Sequence, residues 1–216
     1  MNRNTLYIAY GSNLNLRQMA VRCPTAKVVG ASELQDYELL FRGGRRGAVA
    51  TVEPKQGSNV PVLLWKLKER DLMALDHYEG WPNFYRKEIV KVKLGGNMGS
   101  PRSQGFRGER QSSGMSEFSG LSGNERYEAC DVEAMVYVMN DGHDLGAPSA
   151  YYYNTIREGY ESAGFDTEFL DSAVDNSVRL AERQLLLELE ELEVQVAQEL
   201  DEDEPEQGSL FDLNWW

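Results

Sequence analysis

The sequence has little of several features that define whole classes of protein. Only two cysteines, Cys23 and Cys130, occur among 216 residues. They lack CxxC spacing, so a disulfide framework is not indicated and both are expected to be reduced thiols. Lys and Arg number 22 against 35 Asp and Glu, which gives a formal net charge of −13. Because binding to nucleic acid depends on clustered Lys and Arg, we expect no direct contact with nucleic acid.

Long apolar runs are also absent. No uninterrupted run approaches the roughly 20 residues that a membrane-spanning helix requires. The first residues lead directly into an apolar strand that is too short for the hydrophobic core of a signal peptide. We therefore expect no membrane segment and a cytoplasmic location.

Histidine is scarce as well, since His77 and His143 are the only two in the chain. The sequence does not place either beside a Cys or Ser nucleophile. The pairs His77 with Glu79 and His143 with Asp144 have some metal-ligand chemistry, but they complete no ligand set. We expect no metal site.

The remaining composition, 41% hydrophobic and 26% charged, favours one medium-sized domain with appended sequence. Alternation and β-prone composition predict strands at residues 6–10, 28–29, 37–41, 48–52, 60–67, 85–94 and 129–139. Helical spacing predicts helices from about 15 to 24, and at 68–77, 149–163 and 168–200, the last with a break near Asp175 and Asn176.

Three parts of the chain differ in composition. Residues 1–165 carry the domain pattern, interrupted at about 95–125 by a stretch rich in Gly, Ser, Asn, Gln and Arg. That stretch cannot bury enough apolar surface to offset its ordering entropy, so we predict a disordered insertion; a lid over a pocket is the alternative. Residues 166–200 form an acidic helical extension. Residues 201–216 form an acidic linker and an apolar tail peptide.

The extension carries an apolar stripe at helical spacing. Its members are Leu185, Leu186, Leu189, Leu192 and Val196. Such a stripe is typical of a helix docked on its own domain, or of a seam between two helices of a dimer. The sequence leaves both interpretations open.

The first candidate site is the turn at residues 10–14, Tyr10, Gly11, Ser12, Asn13 and Leu14. It follows a predicted strand and precedes a predicted helix. Glycine permits a sharp turn and a close approach of ligand to the backbone. Backbone N–H groups at such a junction suit an anion.

The second candidate site is Glu79, in a segment that is rich in aromatic residues. Tyr78, Trp81, Phe84 and Tyr85 surround it in sequence, at the predicted junction of a helix and a loop. Desolvation by these rings would raise the pKa of Glu79 toward neutrality. That pKa suits a group that first accepts and then donates a proton.

Together, these two segments resemble the γ-glutamylcyclotransferase-like family, which includes the γ-glutamylamine cyclotransferases and the plant avirulence-induced-gene-like proteins. The resemblance rests on the YGSN turn, on Asp76 to Glu79 and Gly80 followed by Tyr85, and on a Pro-Ser-x-Tyr element at 148–151. It covers about residues 6–165, apart from the insertion.

The resemblance implies an α+β fold: a small mixed β-barrel with peripheral helices, here with a long C-terminal helical extension. It implies cyclisation of a γ-glutamyl compound to 5-oxoproline with release of an amine, without a cofactor. Glu79 is then the general acid/base. The substrate-binding residues are the 10–14 turn (Tyr10, Gly11, Ser12, Asn13, Leu14), Tyr85 and one tyrosine of the 151–153 run, for which we choose Tyr152. The compound attached to the γ-glutamyl group stays open.

An alternative function comes from the tail. Gln207, Leu210 and Phe211 form a QxxLF pattern that resembles the peptide by which bacterial proteins dock on the DNA polymerase sliding clamp. An extended peptide of this kind places its apolar side chains in a pocket of the partner. On this hypothesis the pocket binds a small ligand without turnover, and the tail binds a protein partner.

Overall fold

A computed structural model describes residues 4–43, 47–94 and 130–202 of the chain. The strands are β1 (Thr5–Ala9), β2 (Lys27–Arg42), β3 (Val49–Leu67), β4 (Tyr85–Leu94) and β5 (Cys130–Met139). The helices are α1 (Leu16–Arg22), α2 (Glu69–Glu79), α3 (Ala150–Ala163) and α4 (Thr167–Glu202), and a single 3-10 turn spans Ser12–Leu14.

The five described strands form one mixed sheet in the order β2-β3-β1-β5-β4. The central strand, β1, pairs antiparallel with β3, so that Tyr7 lies opposite Trp65. On its other side β1 runs parallel to β5, and Tyr7 lies opposite Met135. The predicted α+β class is confirmed. A buried apolar cluster that includes Ile8, Leu64 and Val136 forms the core of the sheet.

The term barrel is too strong for this sheet, because it is not closed. The edge strands β2 and β4 approach each other, and Ser32 Oγ of β2 donates to the carbonyl of Lys93 at 2.6 Å. No ladder joins these two strands within the described ranges. The sheet is therefore strongly curved but open.

Two long strands, β2 and β3, replace the four shorter ones predicted for this region. β2 contains irregularities between Val28 and Gly30 and between Gln35 and Tyr37. The middle of β3 is exposed around Lys55, where a polar stretch interrupts the apolar pattern. At these irregular or polar positions the hydrophobic alternation stops, but the hydrogen-bonded pairing of β2 with β3 continues. The sequence pattern therefore predicted two short strands in place of each long one.

The first compact unit extends to Val178 and includes the start of α4. Leu170 and Ala173 are buried there, and the N–H of Phe41 donates to Ser177 Oγ at 2.9 Å. The predicted break near Asp175 and Asn176 is wrong, because α4 continues through it. Tertiary bonding of this polar stretch to β2 outweighs its low helix propensity.

The second unit begins at Arg179 and is helical to Glu202. The side chains of the predicted stripe, including Leu185, Leu189 and Leu192, are exposed. In the described ranges, no helix is long and apolar enough to cross a membrane. The predicted insertion at about 95–125 and the tail residues Gln207, Leu210 and Phe211 lie outside the described residues.

Candidate active site

Glu79 lies at a cavity of about 210 Å³ in the first unit. It is the last residue of α2, beyond the helix end at 77 predicted from sequence. Gly80 ends the helix in the left-handed conformation, with φ 65°. The cavity is bounded by residues 10–13 and by the ends of several strands. Its lining side chains include six tyrosines: Tyr7, Tyr10, Tyr78, Tyr85, Tyr137 and Tyr152.

The turn that follows β1 forms one wall of this cavity. Residues 12–14 make a 3-10 turn of their own, which separates β1 from α1. The turn thus lies between a strand and the N-terminus of a helix, as predicted. The side chain of Asn15, the next residue, caps α1 by accepting from the N–H groups of Arg17 and Gln18.

Gly11 permits a close approach in this wall. A Cβ atom at Gly11 would lie 3.1 Å from Ala50 Cβ and 3.3 Å from the hydroxyl of Tyr152. Any larger residue would therefore push β3 or Tyr152 away from the turn. Glycine here keeps three chain segments together at the cavity.

Asn13 and Glu79 are in direct contact across the cavity. Asn13 Nδ2 donates to Glu79 Oε1 at 2.8 Å and to the Tyr7 hydroxyl at 2.8 Å. Asn13 Oδ1 accepts from Arg22 Nη1 at 2.6 Å. The buried amide thus uses both of its ends, and it holds one oxygen of Glu79 in a fixed position.

The pKa of Glu79 is raised from its ordinary value of 4.5 to about 7. Desolvation in the cavity is the main cause, and it outweighs the hydrogen bond from Asn13 and the charge of Arg22, which both lower the pKa. The position at the C-terminus of α2 also disfavours a negative charge. A carboxyl group with this pKa exchanges protons readily near neutral pH.

The hydroxyl protons of Tyr10 and Tyr85 are donated to main-chain carbonyl groups. The Tyr10 hydroxyl donates to the carbonyl of Tyr137 at 2.6 Å, and the Tyr85 hydroxyl donates to the carbonyl of Ala50 at 2.7 Å. Burial raises the pKa of both phenols, so both stay neutral. Their oxygens therefore offer lone pairs to a ligand.

The Tyr152 hydroxyl accepts a hydrogen bond from the main chain, whereas those of Tyr10 and Tyr85 donate one. Its oxygen accepts from the N–H of Ala50 at 3.2 Å, so its own proton is free to point toward a ligand or toward Ser12. Tyr151, its neighbour in the predicted run, is 78% exposed. The tyrosine chosen from the run is the one that lines the cavity.

Leu14 is the one predicted site residue that does not line the cavity. It is fully buried and packs against Gly159 of α3. Sequence reasoning missed Tyr7, Tyr137 and Arg22. Tyr7 lies on β1, a few residues before the glycine-containing turn; Tyr137 and Arg22 carry no local signal.

Metal-binding groups do not converge in the described ranges. No cluster of three or more His, Cys, Asp or Glu side chains occurs there. His77 is exposed, and the ring of His143 packs edge-on against Phe84.

Comparisons with known proteins bear on this fold and cavity. Residues 7–107 match the family model described as "Gamma-glutamyl cyclotransferase, AIG2-like". Gamma-glutamylcyclotransferase from Homo sapiens is 34% identical over 82 residues, which are 35% of this chain and 44% of the human protein. The match therefore spans less than half the length of this curated relative.

Solved structures share the fold. A structure titled "Gamma-glutamyl cyclotransferase" superposes with a TM-score of 0.56 at 22% identity, over 79% of this chain and 86% of the other. YkqA from Bacillus subtilis superposes with a TM-score of 0.56 at 19% identity, over 81% of this chain and 54% of the other. The open mixed sheet thus defines this molecule as a protein of the cyclotransferase fold.

The segment that matches the family model contains the end of β1, the turn, α2 and Glu79. This segment is similar to the gamma-glutamyl cyclotransferase, AIG2-like family, and the resemblance found in the sequence is confirmed.

Proposed function

We propose that this protein cyclises a γ-glutamyl compound to 5-oxoproline and releases an amine, with Glu79 as general acid and base. The observation that carries the proposal is the Glu79 carboxyl group, with a pKa of about 7, at the wall of a tyrosine-lined cavity. The family of the domain supports the reaction class.

The first chemical step needs a base. The substrate's neutral α-amine attacks its own γ-carbonyl carbon and must lose one of its two protons to become the ring N–H, and ionised Glu79 accepts that proton. The phenol oxygens of Tyr10 and Tyr85 accept hydrogen bonds from the amine and orient it. Because the nucleophile and the carbonyl belong to one molecule, holding them in ring-forming geometry supplies much of the rate advantage.

The second step needs an acid. Attack forms the new C–N bond of the five-membered ring and a tetrahedral centre at the former carbonyl carbon. The bond to the leaving nitrogen then breaks as Glu79 returns its proton to that nitrogen. The products are 5-oxoproline and the free amine, and Glu79 is ionised again.

Neutral donors bind the acidic end of the substrate in this proposal. The lining residues of the described cavity include no Lys, Arg or His. The hydroxyls of Ser12 and Tyr152 and the main chain of the 10–13 turn remain to hold the α-carboxylate or a developing oxyanion. Leu14 is left out of this set because it is buried beneath the turn.

The test is release of 5-oxoproline from a panel containing glutathione, γ-glutamyl amino acids and γ-glutamyl-ε-lysine. Wild type is compared with Glu79→Gln, which keeps the shape but cannot exchange the proton. We expect turnover of at least one compound and a loss of about 10²- to 10⁴-fold in the variant. Equal turnover by the two proteins would remove Glu79 from the mechanism.

A binding scaffold without turnover is the alternative at the same cavity. Calorimetry with the same panel separates the two proposals. Binding of a γ-glutamyl compound by folded wild type, together with no release of 5-oxoproline, would favour the scaffold.

A separate proposal concerns a protein partner. Gln207, Leu210 and Phe211 follow an acidic stretch at 201–206, and this pattern alone supports docking on a bacterial sliding clamp in the cytoplasm. Deleting residues 207–216 should abolish binding to purified clamp and leave 5-oxoproline release intact. Unchanged clamp binding after the deletion, or no binding by the full chain, would exclude this docking.

A further inference from the structure

Arg22 lies outside the cavity but is linked to Glu79 through one side chain. The guanidinium donates to Asn13 Oδ1 at 2.6 Å, and Asn13 Nδ2 donates to Glu79 Oε1 at 2.8 Å. Arg22 is not among the residues that line the cavity. Any effect of Arg22 on the reaction must therefore pass through Asn13 or through its charge.

The orientation of the Asn13 amide decides whether its nitrogen or its oxygen faces Glu79. An amide has a donor end and an acceptor end, and a 180° flip exchanges them. Arg22 is a donor only, so the end of Asn13 that faces it must be the oxygen. The nitrogen then has to face Glu79 and the Tyr7 hydroxyl. Without Arg22, Tyr7 could act as donor or acceptor, and protonated Glu79 could donate to the oxygen of a flipped amide, so only the ionised carboxylate would still select this orientation.

Arg22 is itself held in place from two sides. Its guanidinium carbon lies 3.6 Å from the centre of the Tyr78 ring, which is a stacking contact with the residue before Glu79. It also donates to the Gln18 side chain, one turn earlier on α1. The Tyr78 hydroxyl lies 3.2 Å from Ser12 Oγ. Arg22 thus joins the end of α1 to the end of α2 and to the 10–13 turn.

We propose that Arg22 is a positioning residue of this site, which fixes the Asn13 amide so that its nitrogen donates to the Glu79 carboxyl group. The inference rests on the proposed role of Glu79 as acid and base. It predicts that loss of Arg22 changes the pKa of the Glu79 carboxyl group.

Removing Arg22 has a definite direction of effect. Both the donated hydrogen bond and the positive charge lower the pKa of Glu79. In Arg22→Met the amide can flip and the charge is gone, so the Glu79 pKa should rise above about 7, by about one unit. The other titratable groups whose pKa values are raised and that interact with Glu79 are Tyr7, Tyr10, Tyr85, Tyr137, Tyr152 and Cys23. None of them titrates in this range.

The experiment measures the Glu79 carboxyl directly, by ¹³C NMR titration of protein labelled at glutamate Cδ, with Glu79→Gln used for assignment. This readout needs no substrate, so it is independent of whether the proposed reaction occurs. Arg17→Met is the matched control, because Arg17 is an exposed residue of the same helix and loses the same charge. We expect no shift of the Glu79 resonance midpoint in this control.

A double-mutant cycle tests the route through Asn13. If Arg22 acts by orienting Asn13, then Arg22→Met should shift the Glu79 pKa much less in an Asn13→Ala background than in wild type. Arg22→Lys keeps a donor and the charge, so it should restore most of the wild-type pKa of Glu79. It also serves as a second variant if Arg22→Met does not fold. An unchanged Glu79 pKa in folded Arg22→Met, or fully additive shifts in the cycle, would overturn the proposal.

Discussion

Gly159 of α3 packs directly against Leu14, the residue that ends the 3-10 turn of the site. A Cβ atom at Gly159 would lie 2.6 Å from Leu14 Cβ and 2.9 Å from the backbone nitrogen of Asn15. Because the backbone at Asn15 cannot move without moving the turn, α3 supports the site from behind. This relationship explains why Leu14 is buried.

Gly159→Ala should therefore destabilise the protein by about 2–3 kcal/mol in spite of the higher helix propensity of alanine. Urea denaturation followed by circular dichroism measures the loss. Asn154→Ala, at an exposed position of the same helix, is the control and should change stability by less than about 0.5 kcal/mol. Equal stability of the two variants would show that α3 is not packed against the turn in this way.

Gly11→Ala should lower kcat/KM by about tenfold while the protein stays folded. The new methyl group meets Ala50 and the Tyr152 hydroxyl at 3.1 and 3.3 Å, and a small displacement of these groups misaligns the substrate. Gly30→Ala is the matched control, since a Cβ atom at that position would have no neighbour within 4 Å. Steady-state kinetics on both variants makes the comparison, and a similar loss in the control would contradict this explanation.

The rate of the reaction should fall on the acid side with a midpoint near pH 7. Glu79 must be ionised to accept the amine proton, and its pKa is about 7. A plot of kcat/KM against pH measures the midpoint, which reports on the free enzyme. An acid limb centred near the ordinary carboxyl value of 4.5 would show that the group is not desolvated.

Glu79→Gln should stabilise the protein at pH 8. Burial raises the pKa of Glu79 from 4.5 to about 7 in the folded state, so the folded state holds the proton more tightly than the unfolded state. The stability contribution of this group is fully present below pH 4.5 and is lost as the pH rises through about 7. The neutral amide avoids that loss, so the variant should gain about 1–3 kcal/mol over wild type at pH 8 and little or nothing at pH 4. Denaturation curves of both proteins at the two pH values measure this stability difference. A gain in stability that is the same at both pH values would show that packing, and not the charge of Glu79, is the cause.

Tyr152→Phe should weaken substrate binding by about tenfold and cost about 1 kcal/mol of stability. The substitution removes the free hydroxyl proton from the cavity and leaves the N–H of Ala50 without this acceptor. KM and urea denaturation report the two effects separately. Tyr151→Phe, which alters an exposed ring on the same helix, should change neither, and a loss in both variants would argue for a general effect on α3.

The sequence predicted many of the residues that line the candidate site because they lie in two short segments. The glycine-containing turn and the aromatic segment around Glu79 each carry a local signal, and both line the cavity. Arg22 carries none. It becomes recognisable only when α1 and α2 are packed so that its guanidinium meets both Asn13 and Tyr78.

Whether each tyrosine hydroxyl donates or accepts a hydrogen bond could be determined only from the structure. Tyr10 and Tyr85 look like donors in a sequence, but their protons are bound by the carbonyls of Tyr137 and Ala50. These partners are distant along the chain. Residue type alone gives the hydrogen-bonding capacity of a side chain, whereas its free capacity depends on tertiary neighbours.

The same limit applies to the fold. The bounds predicted for β4, 85–94, coincide with the observed strand, in which apolar and charged residues alternate from Val90 to Leu94. The division of β2 and β3, and the predicted break in α4, failed where polar residues are accommodated by bulges or by tertiary bonding.

The parallel pairing of β1 with β5 has a consequence for biosynthesis. Among the described strands β1 is made first, yet its partner at Met135 and Val136 comes only after α1, α2 and three further described strands. Until residue 139 has emerged from the ribosome, the edge of β1 that pairs with β5 lacks this partner. Since exposed edges of this kind favour aggregation and distant pairing slows folding, a nascent chain truncated before β5 should require a chaperone.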